Sequence, residues 1–191
     1  MPPTASSLKL RDRLIATARE VTTKAGWASV TMAKVGNLAG VSRQTVYNLF
    51  GDKKQLAEAL VMSELMSFLE IVDDAFQPLP EKLHEGVLVA GRGCLEFAEQ
   101  SPLVREIVGG APGLESELLA LITTDSSLIR RTAAERLFAH ASSYDLGMTE
   151  EHLHTLCDMA VRLTLSMIQS PDGTPAEMAE QIAWFAERVT S

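Results

Sequence analysis

Along most of this chain the apolar residues return every three or four positions, the spacing of one helix face turned toward a core. Leu10, Leu14, Ala18 and Val21 form such a stripe. They predict a first helix from about Leu8 to Ala25, ended by Gly26. Two much shorter helices follow. Thr31 stands at an N-cap, with Val30 before it and Val35 after it as a hydrophobic staple. Met32, Val35 and Leu38–Ala39 give this helix its apolar face, and Gly40 falls where a left-handed residue closes a helix. Ser42 caps the next one, with Val41 and Val46 as its staple and Val46 and Phe50 on the inner face. A fourth helix opens after Asp52, which has Gln55 at the capping-box position, and Leu56, Leu60, Leu65 and Leu69 carry it toward Phe76.

Pro78 and Pro80 interrupt the pattern, which resumes from about Glu81 to Gln100. Ser101–Pro102 reads as an N-cap followed by a first-turn proline, opening a short helix that ends at Gly109–Gly110. After the turn at Ala111–Pro112–Gly113, a long helix is expected from about Leu114 to Ser142. Thr149, backed by Glu150 and Glu151, starts a helix that reaches about Gln169. Beyond the turn at 170–173, Thr174–Pro175–Ala176–Glu177 is a capping box with proline in the first turn, and it opens the last helix. No segment alternates like a strand. The expected fold is all-α, about nine helices in two parts: residues 1–55 as a head and 56–191 as a body, joined through the fourth helix.

Charge changes the picture more than composition does. The 191 residues carry a net charge of −8, which by itself argues against a nucleic-acid partner. Residues 1–56, however, hold nine basic and three acidic side chains, and residues 57–191 hold eight basic and twenty-two acidic. A basic head on an acidic body focuses its attraction for phosphate at one end. Two cysteines, Cys94 and Cys157, make no disulfide framework. The amino terminus lacks a signal-peptide core, and no run approaches the roughly 18 apolar residues of a membrane span. These features lead us to expect a soluble cytoplasmic chain with reduced thiols and no membrane partner.

Two short capped helices joined by Ala39–Gly40–Val41 are a helix-turn-helix, whose second helix offers Arg43, Gln44 and Thr45 to a DNA major groove. Arginine suits guanine bidentately, glutamine suits adenine, and threonine can meet a thymine methyl or a phosphate. Ala16, Gly26–Trp27, Thr31–Met32, Leu38–Ala39–Gly40–Val41–Ser42, Thr45–Val46–Tyr47, Phe50 and Asp52–Lys53 together resemble the DNA-binding region of the TetR/AcrR family of bacterial transcriptional regulators. The likeness covers about residues 9–57. It implies that Tyr47 and Lys53 contact phosphate, with Thr31 and Ser42 combining capping and phosphate contact. Lys53 and Lys54 also sit in a first helical turn, where the macrodipole disfavours positive charge. One departure stands out: Leu49 occupies the place where the family commonly has histidine.

The resemblance further implies a homodimer on a palindromic double-stranded operator, and a small-molecule effector bound in the body. Leu156 and Val161 on the penultimate helix, with Met178, Ile182, Phe185 and Val189 on the last, are the expected dimer seam; Ala179, Ala183 and Ala186 form a neighbouring small-residue stripe. An intramolecular core is the competing reading of the last helix. Met62, Met66, Phe97, Thr123 and Ser127 are the expected pocket lining for an apolar or amphipathic ligand, near a helix thinned by Gly86, Gly91 and Gly93. Ordinary packing explains those positions equally well. No nucleophile–base pair, phosphate-binding loop or zinc motif is present, so no catalytic residue, metal or cofactor is expected. His154, Cys157 and Asp158 share one helix face, which reads better as surface beside a half-buried thiol than as a metal site. The rival reading is a helical ligand-binding or catalytic protein whose head no longer binds DNA. Arg43, Gln44, Tyr47 and Lys53 argue against it.

Overall fold

A computed structural model describes residues 5–101, 103–104 and 117–191, with side chains described from residue 6 and, in the last stretch, from residue 128. The described residues are helical, without strands: α1 (Ala5–Ala25), α2 (Met32–Leu38), α3 (Arg43–Phe50), α4 (Lys53–Phe76), α5 (Leu83–Gln100), α6 (Glu117–Ala141), α7 (Glu150–Gln169) and α8 (Pro175–Thr190), with a 3-10 turn at Trp27–Ser29. Leu103 and Val104 are helical and buried, and the Val104 N–H donates to Ser101 Oγ at 3.2 Å, as an N-cap requires. The remainder of the expected short helix, the 111–113 turn and the expected start of α6 at Leu114 lie outside the described residues. α1 begins at Ala5, earlier than expected.

Contacts divide the chain between Glu64 and Leu65 on α4, and between Thr123 and Thr124 on α6. The expected boundary after residue 55 falls inside the first unit. That unit holds α1 to α3 and the starts of α4 and α6. Leu14, Ala18 and Val21 of α1, Met32 and Val35 of α2, Val46 and Phe50 of α3, and Leu56 and Leu60 of α4 are buried in this unit, as is Trp27. Leu38 departs from the expected apolar face, being 63 % exposed at the end of α2. Buried Glu64 takes the Arg19 guanidinium at 2.6 Å, and Arg19 also donates to Ser63 Oγ at 2.9 Å.

In the second unit α5 packs along α8. Met178, Ala179, Ile182, Ala183 and Ala186 are buried there, together with Val87, Ala90 and Leu95 of α5 and Leu153, Leu156, Cys157 and Ala160 of α7. This corrects part of the expected dimer seam. Met178 and Ile182 lie inside the protomer, where Gly91 and Ala179 let the α5 and α8 backbones come together, and Leu156 of α7 is buried in the same core. The helix-thinning glycines likewise serve packing. A Cβ at Gly86 would stand 2.3 Å from the buried Phe76 ring, and one at Gly93 would stand 2.7 Å from Ile71. Asp73 near the end of α4 receives Arg136 at 2.6 Å and His140 at 2.8 Å, while the His140 ring stacks on Phe76. The Tyr144 hydroxyl donates to the Pro80 carbonyl at 3.0 Å. Both are long-range ties between ionic or polar residues, and no local sequence signal announces them.

Met62 and Met66 are each 44 % exposed, and Phe97 stands edge-on to Phe68 at 4.9 Å. Thr123 and Ser127 lie outside the residues whose side chains are described. The three residues sharing the α7 face are engaged separately. His154 stacks on Phe138 at 3.6 Å, Cys157 is in the core, and Asp158 pairs with Arg130 and Arg162.

Burial pushes the Cys94 thiol up to about 12, and burial together with the Glu135 charge does the same to Cys157. Thiolates, not thiols, are the nucleophiles. Iodoacetamide at pH 8 is therefore expected to leave both cysteines unlabelled in the native protein and to label both in denaturant, as read by intact mass. Because the folded values lie above the unfolded ones, this stabilising contribution is complete below about pH 8.5 and fades as pH rises toward 12. Rapid native labelling would show that the core opens readily.

Candidate nucleic-acid interface

The reading head is built from local bonds that need little else to form. Thr31 has extended backbone angles, and its Oγ1 accepts from the Lys34 N–H at 3.1 Å. Ser42 Oγ accepts from the Thr45 N–H at 3.1 Å and lies 2.9 Å from Thr45 Oγ1. Each bond satisfies one of the amides that a helix start leaves unpaired. Between the helices Gly40 turns with φ 71°, a conformation costly for a residue with a Cβ. The Val41 N–H then donates to the Gly36 carbonyl at 2.9 Å.

Gly36 was not singled out from the sequence, yet it sets how closely α2 and α3 approach. A Cβ there would stand 3.0 Å from the Val41 carbonyl oxygen and 3.2 Å from the Val46 side chain. A glycine in the middle of a seven-residue helix is the sequence signal that could have flagged it, since it costs helix stability with no turn to justify it.

These constraints fix how α3 is presented. Val46 and Phe50 face the core; Arg43 and Gln44 are exposed in the first turn, and Thr45 and Tyr47 are half-buried beside them. The Arg43 guanidinium lies 5.1 Å from the centre of the Tyr47 ring, and its Nη2 donates to the Tyr47 hydroxyl at 3.1 Å. Gln44 Nε2 donates to Asn48 Oδ1 at 2.9 Å. The i,i+4 spacing places each of these partners one turn along the same face. Leu49 is half-buried, so its apolar side chain has a packing role where a histidine would offer a polar one.

Lys53 has partners within the fold. Its Nζ donates to the Trp27 carbonyl at 3.3 Å and stands 5.0 Å from the Trp27 ring centre, so the fold does give it a place in the first turn of α4. The carbonyl and the ring face offset the unfavourable macrodipole. Lys54, by contrast, is exposed and pairs only loosely with Glu58, at 4.0 Å. Asp52 Oδ1 accepts from the Gln55 N–H at 2.8 Å, so the aspartate caps α4 as expected. Thr31, Ser42, Arg43, Gln44, Thr45, Tyr47 and Lys53 thus all lie on the capped pair of helices or on the start of α4.

Residues 14–60 match the family model for bacterial regulatory proteins of the tetR family, and residues 83–188 match the model for the C-terminal domain of the bacterial tetracyclin repressor. The chain belongs to the TetR family. This TetR-family chain is 30% identical over 188 residues to the HTH-type transcriptional regulator AlkX of Mycobacterium tuberculosis, covering 96% of this chain and 88% of that one. The crystal structure of the TetR family repressor AlkX from a Dietzia strain, described as implicated in biodegradation of n-alkanes, superposes with a TM-score of 0.72 at 25% identity, over 95% of this chain and 97% of that one. A TetR-family regulator of Pectobacterium atrosepticum shares the fold, at 20% identity and a TM-score of 0.63, over 98% and 95% of the two chains. This is therefore a transcriptional regulator with an amino-terminal DNA-binding domain and a carboxy-terminal TetR-family domain. No helix among the described residues is long and apolar enough to cross a membrane.

Proposed function

We propose that this TetR-family regulator binds a palindromic operator as a homodimer, represses from it, and is released by a small apolar or amphipathic ligand. The observation that carries the DNA-reading part is the pairing of exposed Arg43 and Gln44 at the capped start of α3, on a head whose charge is opposite to that of the body. Arg43 and Gln44 reach base edges, while Tyr47, Thr31, Ser42, Thr45 and Lys53 supply phosphate contacts that fix register.

The dimer is supported by the exposed apolar surface that the protomer leaves on α7 and α8. Leu163, Met167, Trp184 and Phe185 line a groove of about 810 Å³, rimmed by Asp172, Glu177 and Glu180. Trp184 is 59 % exposed and Val189 46 %. Apolar area of this kind marks an interaction surface, and a twofold pair of heads matches a twofold operator. In this reading Phe185, Val161 and Val189 remain seam residues, and Trp184 joins them. The apolar character of the effector is supported by the AlkX relatives, one of them described as implicated in biodegradation of n-alkanes. Such a ligand releases DNA only by binding the two states of the body with different affinities.

Selection of bound duplexes from a random pool is the test. An enriched inverted repeat, with affinity that falls steeply as salt rises through counterion release, is the expected result. A folded dimer that enriches no sequence would favour the rival reading, a ligand-binding protein with a silent head. Arg43→Ala is expected to cost about 1–3 kcal/mol on the selected operator and to relax base preference at one position in each half-site. Gel shifts across operator variants measure it, and an unchanged profile would remove Arg43 from base reading.

A further inference from the structure

Resting on the operator-reading role of α3, we propose that Arg11 of α1 is a further phosphate-binding residue, held at the far end of the reading helix by the Phe50 ring. Its guanidinium lies 5.3 Å from the centre of that ring. Phe50 is only 5 % exposed, so Arg11 rests on a side chain that packing holds in place. Arg43, Tyr47 and Phe50 are spaced four and three residues apart, which sets them on one ridge of α3. The Arg43 guanidinium covers the Tyr47 ring at 5.1 Å. Arg11 continues this row over Phe50, whose backbone stands about 10 Å beyond that of Arg43 along the helix axis. A reading helix meets base edges with its first turn and leaves its last turn toward the backbone that borders the groove. A cation there meets phosphate, which asks for charge at a place and not for one bond orientation. The other charges of α1 point the same way. Arg19 takes Glu64 and Lys24 takes Glu20. Nearer the helix start, Lys9, Arg11 and Arg13 pair with no carboxylate among the described residues, and the first turn holds no acid. Arg11 thus keeps its charge for an anion from outside the chain.

Salt titrations of affinity for the selected operator, on the full-length wild type, Arg11→Gln, Arg11→Lys and Arg13→Ala, test this, with circular dichroism melts beside them. Arg11→Gln keeps a long side chain against Phe50 and removes the charge. It is expected to bind all sequences about tenfold more weakly, with base preference unchanged, and to lower the slope of log affinity against log salt by about one for each chain bound. Arg11→Lys keeps the charge and is expected to keep the slope. Arg13 lies on the opposite side of α1, so Arg13→Ala removes the same charge from the same helix and is expected to change the slope far less. A wild-type slope in Arg11→Gln overturns the proposal whether or not the melt shifts, because packing on Phe50 alone moves only the melt. An equal loss of slope in Arg13→Ala overturns it too, as a diffuse effect of the head's charge. In both cases a wild type that selects an operator leaves the reading role of α3 standing. A wild type that selects no sequence overturns that role and this proposal with it.

Discussion

Replacing Trp27 with alanine is expected to unfold the reading head and abolish operator binding. Trp27 follows Gly26, whose φ of 73° turns the chain sharply at the end of α1, and its side chain is only 1 % exposed. Truncating a buried tryptophan costs about 3–5 kcal/mol, through lost burial and the cavity left behind. The head has little stability to spare, since a small unit buries a small fraction of its surface. Lys53 loses its ring contact as well, and a cation beside a ring contributes about 0.5–2 kcal/mol. Lys53 would keep only the Trp27 carbonyl. Trp27→Phe keeps a large apolar side chain in place and is expected to recover most of the stability. Circular dichroism melts of both variants, with gel shifts on the selected operator, provide the check. A wild-type melt and full operator affinity in Trp27→Ala would mean that the head holds together without this core.

Local signals were legible in the sequence because they act over three or four residues. The caps at Thr31, Ser42, Thr149 and Thr174 each accept from the amide expected of them. Glu177 returns the bond to Thr174, which lowers its carboxyl below the ordinary range. The same holds for the apolar stripe of α4, whose Leu56, Leu60, Leu65, Leu69 and Phe76 are all buried. What the sequence could not reveal was which partner a stripe meets. α8 is apolar over most of its circumference, so periodicity alone could not say whether Met178 and Ile182 face the protomer or a second copy. The small residues decide it. Ala179 allows α5 to approach at Gly91, and that contact pulls Met178 and Ile182 inward. Lys53 was legible as a lysine in an unfavourable position. Its carbonyl and ring partners were not, because Trp27 stands twenty-six residues away.

The burial of Met178 and Ile182 narrows where a second copy can dock, and with it the substitution that tests the dimer. Phe185 is a poor choice, since it packs against the core of its own protomer, and a charge there would disturb folding and association together. Trp184 points outward, beside Arg188, whose guanidinium lies 5.9 Å from its ring centre. Trp184→Glu adds a fourth carboxylate to a groove that already holds Asp172, Glu177 and Glu180. Two such surfaces facing each other across a twofold axis repel, and a charge driven into an apolar seam is left unpaired. The expected outcome is a monomer by sedimentation velocity with an unchanged helical spectrum. Operator affinity should fall about 10²–10⁴-fold, because the second head no longer binds as part of the same molecule. Affinity for an isolated half-site should stay the same, which separates loss of the partner from damage to the head. A Trp184→Glu dimer with full operator affinity would place the interface on another face of the body.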